Sequence, residues 1–288
     1  MTDRPRRIVD AHVHLWDPER ADWYPYLSRR SDVGLGDVTG MSRRFDVDTY
    51  RSEATGWNVV KLVNVAAATG DHSIEETLEL DRRAGADGMP DALIGGITPS
   101  DTPADALAQI ERQMTASRFR GIRPMGVFDG PLPAAEVLSG LRERSLVFEL
   151  MAHPDQLRAA ADGLSRAGDL SVVVEHAGWP RSDTPEEWEL WSDGMAALAD
   201  LGDKVVCKLS GLAMPLGSMS VDAFRPWVER SLELFGTDRC MFASNFPVDG
   251  LHGTLDQLFT AYLELTAALT VEDRDKLFAT NAERVYRC

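Results

Sequence analysis

Val9-Asp10-Ala11-His12-Val13-His14-Leu15-Trp16 reads as an apolar strand that closes on two histidines one residue apart. Alternate residues of an extended chain share a face, so both imidazoles can reach a single point. A lone His-x-His pair carries little weight. Here it ends the first of eight short runs rich in β-branched and apolar residues, at 7–10, 59–65, 93–97, 121–123, 146–150, 171–175, 205–209 and 240–243. Amphipathic stretches lie between them, as at 103–117, where Ala106, Leu107, Ile110 and Met114 recur at helical spacing behind Pro103. Similar patterns cover 133–144, 154–167, 185–201 and 221–235. Strands alternating with helices imply βα units and a parallel sheet. Eight of them favour an α/β fold closed as a (β/α)8 TIM barrel over an open doubly wound sheet.

The chain of 288 residues suits one such domain over 1–288, since a barrel occupies about 250. No internal repeat or linker divides it. Lysine and arginine number 30 against 46 acidic residues, a formal charge of −16 that argues against nucleic acid and anionic membranes as partners. A small-molecule substrate is the expected partner, and a homo-oligomer is compatible with this composition. Cys207, Cys240 and Cys288 form no CxxC pair, the start lacks a signal-peptide pattern, and no apolar run approaches the ~20 residues of a membrane helix. A reducing cytoplasm is the expected location.

The segment at about 15–45 is long, aromatic and turn-rich. Directly after the first strand it belongs at the C-terminal mouth, where barrel active sites sit, so it is expected to cover substrate, with Trp16 as a candidate substrate contact. The other expectation is a wrap that seals the barrel flank. All six histidines (12, 14, 72, 153, 176 and 252) fall at or after predicted strand ends and none in a predicted helix. In a barrel those ends share one rim. His72 and His252 lie farther into their loops and read as surface residues, whereas His153 either lines the pocket or starts the next helix. His176 ends the apolar run Val172-Val173-Val174-Glu175-His176-Ala177-Gly178, which is what a strand buried on both faces shows, and it joins the first pair. Asp10 is expected to orient an imidazole from behind. Lys208, beside Ser210, is a candidate cation for substrate binding.

Taken in order, Val9–His14, Phe119-Arg120-Gly121-Ile122-Arg123, Glu175–Gly178, Lys208–Leu212, Met241–Val248 and Asn281–Arg287 resemble the amidohydrolase 2 family, from about residue 8 to 287. The nearest branch is the lactonase group of fuconolactonases, rhamnonolactonases and pyrone-dicarboxylate lactonase. The resemblance implies a TIM barrel that hydrolyses small polar lactones, with His12, His14 and His176 at the site and Arg123 as substrate anchor. A guanidinium fork suits that task, because it grips a carboxylate or polarises a carbonyl.

One motif departs from the pattern. Where the lactonases have Gly-Ser-Asp-Trp-Pro, this chain has Ala243-Ser244-Asn245-Phe246-Pro247, and an amide cannot take a proton from water as a carboxylate does. Three explanations remain open: a neutral histidine acts as base, the substrate needs no strong base, or hydrolysis is lost. The first is favoured, with Asn245 positioning water. Asp249, beyond Pro247, reads as a poor substitute.

The same departure makes metal optional. His12, His14 and His176 can hold a divalent ion, zinc first, yet a metal-free site of histidine and arginine that polarises the carbonyl is a serious alternative. The leading expectation is a hydrolase of a small polar lactone with water as nucleophile. Its rivals are a metal-dependent decarboxylase or hydratase of an aromatic or unsaturated acid, and a barrel that binds a small molecule without turning it over.

Overall fold

The computed structural model describes residues 4–27, 37–98, 102–124, 132–182 and 184–288. Eight parallel strands follow in sheet order as in sequence: β1 (Ile8–Val13), β2 (Val59–Val65), β3 (Ala92–Ile97), β4 (Phe119–Pro124), β5 (Val147–Leu150), β6 (Val172–Val174), β7 (Val205–Leu209) and β8 (Cys240–Phe242). The barrel closes just past β8, where the Asn245 amide donates to the His12 carbonyl and the His14 amide to the Phe246 carbonyl, each at 2.8 Å. Helices between the strands cover the outside, including Pro103–Gln113, Pro154–Leu164 and Pro185–Ala199. Among the described residues no helix is long and apolar enough to cross a membrane.

Helix starts follow local chemistry. Thr102, Thr184, Ser220 and Thr254 each accept a backbone N–H of the first turn through a side-chain oxygen, which satisfies a donor the helix leaves unpaired. His153 starts a helix as well: its amide donates to Gln156 Oε1 at 3.1 Å and its carbonyl accepts from the Gln156 amide at 2.8 Å, ahead of Pro154–Leu164. His72 departs from expectation, because it begins the helix His72–Asp87 instead of lying in a loop.

Inside the barrel, side chains stack in layers by the two-residue period of each strand. Val9, Val63, Val147, Val173, Val206 and Met241 form an apolar floor with Ala279, Ala282 and Tyr286 of the C-terminal helical segment. Two residues further along, β5 presents Glu149, the turn just after β6 presents Glu175 and β7 presents Lys208, all buried. Gly121 keeps β4 against β5, since a Cβ there would run into the Val147 carbonyl. Gly121→Ala should therefore cost about 1–3 kcal/mol of stability, the usual penalty of overpacking, read as a lower urea midpoint at unchanged slope.

Candidate active site

Above the floor, the strand ends bring together the groups that the sequence scatters. His12 Nε2 lies 3.2 Å from His14 Nε2, and the His12 and His176 ring centres are 4.7 Å apart. Arg123 enters from β4, placing Nη1 3.4 Å from Glu175 Oε2, while Nη2 donates to the Ala66 carbonyl. Its Nε is buried with no hydrogen-bond partner. His14 Nδ1 meets the Val65 carbonyl at 2.8 Å, and His176 Nδ1 meets Ser210 Oγ at 3.0 Å. The His12, His14, His176 and Arg123 side chains thus share one mouth.

The backbone there is unusual. His176, Ala177 and Trp179 after β6, and Asn245 after β8, all have left-handed φ between 48° and 55°. Non-glycine residues in this region cost energy and persist where their surroundings hold them. The Trp191 indole donates to the Ala177 carbonyl at 2.6 Å. Gly211 leaves room for the His176 ring, which a Cβ at that position would strike.

Below the histidines lies a layer of buried charge. Lys208 Nζ is 2.5 Å from Glu149 Oε2 and 3.4 Å from His12 Nδ1, and Tyr286 donates its hydroxyl to Glu149 Oε1 at 2.5 Å. Burial holds His12 well below the usual imidazole range, with Lys208 adding to the effect. It also brings His14 to about 3, with Arg123 contributing, and His176 to about 4 against the pull of Glu175. All three rings are therefore held neutral at pH 7, with lone pairs open to a hydrogen-bond donor or a metal. Burial works against ionising Glu175, but the charges around it, Arg123 first, outweigh it and bring the carboxyl to about 2. Glu149 is pushed the other way by burial.

Several expected roles find different surroundings. Asp10 touches no imidazole: it accepts the Tyr50 hydroxyl at 2.6 Å and the Ser244 and His12 amides. The β1–β2 register shifts between Asp10 and Val13, so Asp10 and His12 do not share surroundings as regular alternation predicts. Lys208 lies fully buried beneath His12. His153 is exposed, 6.2 Å ring to ring from Trp179, which packs on His176. His72 stacks on Trp23 away from the cluster. Trp16 lies parallel to the His14 ring at 5.8 Å and is pinned by backbone pairing with Phe45. The 15–45 segment returns to β1 through that pairing, and its residues 28–36 lie outside the described residues.

Asn245 does not face its surroundings alone. Its Nδ2 donates to Asp249 Oδ1 at 2.9 Å, and Asp249 is fully buried, so the residue read from sequence as a poor substitute backs the amide directly. Glu149, Glu175 and Tyr286 were not singled out as candidates from sequence. A glutamate inside a buried apolar strand, as in Leu146-Val147-Phe148-Glu149-Leu150, is itself a signal, because a buried carboxylate requires a partner.

Ligand atoms of His12, Glu175 and His176 all lie within 4.8 Å of one another. The 3.2 Å separation of the His12 and His14 Nε2 atoms is close to the roughly 3.3 Å edge expected for a tetrahedral site with Zn–N bonds of about 2.0–2.1 Å. Glu175 Oε1 is buried without a hydrogen-bond partner. These residues fit a divalent cation.

Residues 9–288 match the family model described as amidohydrolase (Amidohydro_2), and the chain belongs to that family. It is 31% identical to an uncharacterized protein, y4mH, of Sinorhizobium fredii over 97% of this chain and 98% of that one. It is 27% identical to an L-fucono-1,5-lactonase of Burkholderia ambifaria, covering 97% and 95%. Its fold is that of an amidohydrolase from Burkholderia multivorans crystallised with bound zinc, with a TM-score of 0.81, 23% identity and coverage of 97% and 99%.

Burial raises the Asp249 carboxyl to about 7, against the hydrogen bond from Asn245. A folded-state value above the unfolded one means that the native state holds the proton longer, so stability is lost as pH rises from about 4 to about 7. Asp249→Asn should match the wild type at pH 4 and exceed it at pH 8 by up to about 4 kcal/mol, measured by urea unfolding at both pH values.

Proposed function

We propose that this amidohydrolase-family enzyme hydrolyses a small polar lactone, with water as nucleophile. The observation that carries the reading is the meeting of three neutral imidazoles with Arg123 at the barrel mouth, in a chain whose curated relatives include an L-fucono-1,5-lactonase. Arg123 binds the ester carbonyl or a carboxylate of the substrate: its Nε is an unused buried donor, and its Nη atoms are held by Glu175 and Ala66. As water adds to the carbonyl carbon, negative charge grows on the carbonyl oxygen, and a fixed guanidinium stabilises it without reorganising. A neutral histidine of the His12/His14/His176 cluster takes the proton from water and returns it to the ring oxygen as the ester C–O bond breaks. Asn245, steadied by Asp249, positions the water, while Trp16 and His153 line the approach. Lys208 acts from beneath, through His12.

His12, His14 and His176, with the Glu175 carboxylate beside them, would hold a divalent cation, zinc first, which when bound supplies Lewis-acid polarisation and a more acidic water. His12→Ala and His176→Ala should each lower kcat/KM on the responsive lactone by about 100-fold or more, with far-ultraviolet circular dichroism unchanged. A panel of sugar and dicarboxylate lactones, assayed with and without chelator, provides the measurement. Wild-type rates in both variants would remove the reading. The donor group His12, Glu175 and His176 favours, as second reading, a metal-dependent decarboxylase or hydratase, which that panel would leave unturned while aromatic acids are consumed.

The contact between Asn245 and Asp249 governs a sharper test. Asn245→Asp alone places two carboxylates where one amide–carboxylate hydrogen bond of 2.9 Å now lies, so one of them must keep a proton and the new acid is a poor base. Asn245→Asp with Asp249→Asn restores the complementary pair. The double variant should exceed the single by about tenfold or more in kcat, the low end of what a positioned base contributes. A parent that turns over nothing beside an active double variant would instead establish the non-catalytic barrel.

A further inference from the structure

The hydrogen-bonding groups around His12 and His14 leave one arrangement of protons. His14 Nδ1 faces the Val65 carbonyl at 2.8 Å, and a carbonyl only accepts. His14 therefore carries its proton on Nδ1 and presents a lone pair at Nε2. That lone pair is 3.2 Å from His12 Nε2, a contact that is favourable only if His12 donates. His12 Nδ1 must then be bare, and the group it faces at 3.4 Å is the Lys208 ammonium, which can only donate. Lys208 is held there by Glu149, whose other oxygen accepts from Tyr286 and whose carboxyl also meets that of Glu175. The remaining neighbour of His12 Nδ1, Glu175 Oε1 at 3.7 Å, has no hydrogen-bond partner, as expected when Nδ1 has no proton to offer.

We infer that Lys208 is a positioning residue that holds His12 in its Nε2–H form, and that a divalent cation is accepted only when this proton crosses to Nδ1, onto the waiting Glu175 Oε1. The exchange leaves the imidazole neutral and releases no proton: the N–H bond at Nε2 is lost, one at Nδ1 is gained, and two lone pairs become free to converge. Lys208 opposes it twice, by favouring the bare Nδ1 and by placing a positive charge beneath the cation. Glu149 counters that charge. The metal affinity of this barrel is accordingly set by a lysine–glutamate pair below the ligands. This goes beyond the lactonase reading and stands independently of any substrate.

The test uses the full-length protein stripped of metal, with zinc as probe. Long-range 15N–1H correlation spectra should show His12 protonated at Nε2 and bare at Nδ1, and zinc should reverse the two. Zinc affinity, measured by competition with a chromophoric chelator, should weaken at least tenfold in Glu149→Gln, which leaves the ammonium unbalanced. In Lys208→Met/Glu149→Gln it should tighten at least tenfold over wild type, while Lys208→Arg stays near wild type. Opposite signs from two neighbouring substitutions are not expected of a packing defect. His12 found protonated at Nδ1 in the zinc-free wild type overturns the inference, as does a folded double variant that binds zinc no better than the parent. The wild-type spectrum decides the matter even where a variant fails to fold.

Discussion

Two carboxylates and two cations, sealed together inside a barrel, are the constraint on which the site rests. Arg123 pairs with Glu175 and Lys208 with Glu149 in surroundings where any unpaired charge would cost several kcal/mol. Removing one partner leaves its mate uncompensated, so the four residues stand or fall as a set. The balance also sets the chemistry above it. Burial and the nearby cations keep the imidazoles uncharged, while Glu175 remains ionised because the same cations surround it. A bare apolar barrel could not hold histidine, arginine and carboxylate in such proximity with each in a useful protonation state.

The fold was legible because a buried parallel strand has a distinctive composition. The runs at 59–65 and 205–209 coincide with β2 and β7, and the helix at 221–235 has the observed bounds. Errors arise where backbone geometry overrides composition. The sixth run was expected to reach Glu175, but β6 stops at Val174 because His176 and Ala177 turn left-handed, which no apolar count reveals. The first strand runs three residues past the expected end, since pairing with β2 continues to Val13 across an irregular register. That irregularity also sends Asp10 toward Tyr50 and away from the rings.

For the site, what could be read was the part carried by strand ends. His12, His14, His176 and Arg123 meet because every β-to-α junction opens on one rim. What escaped were groups in the layer beneath, Glu149 and Glu175, and the tyrosine that reaches Glu149 from the last helix. Their roles depend on which face of each strand looks inward and on what stands opposite across the barrel, neither of which local sequence contains. Asp249 was set aside for its place beyond Pro247, yet the turn after β8 folds it back within reach of Asn245. Distance along the chain was a poor guide there because the turn closes on itself, with the Asp249 amide donating to the Asn245 carbonyl at 3.1 Å.

The seam that closes the barrel is made of the same peptide groups that carry His12, His14 and Asn245. Parting this seam would therefore also displace the backbone that holds these three side chains. A molecule bound across that junction rivets two ends of the chain that lie more than two hundred residues apart. A ligand held there would therefore favour the closed cylinder over any opened form.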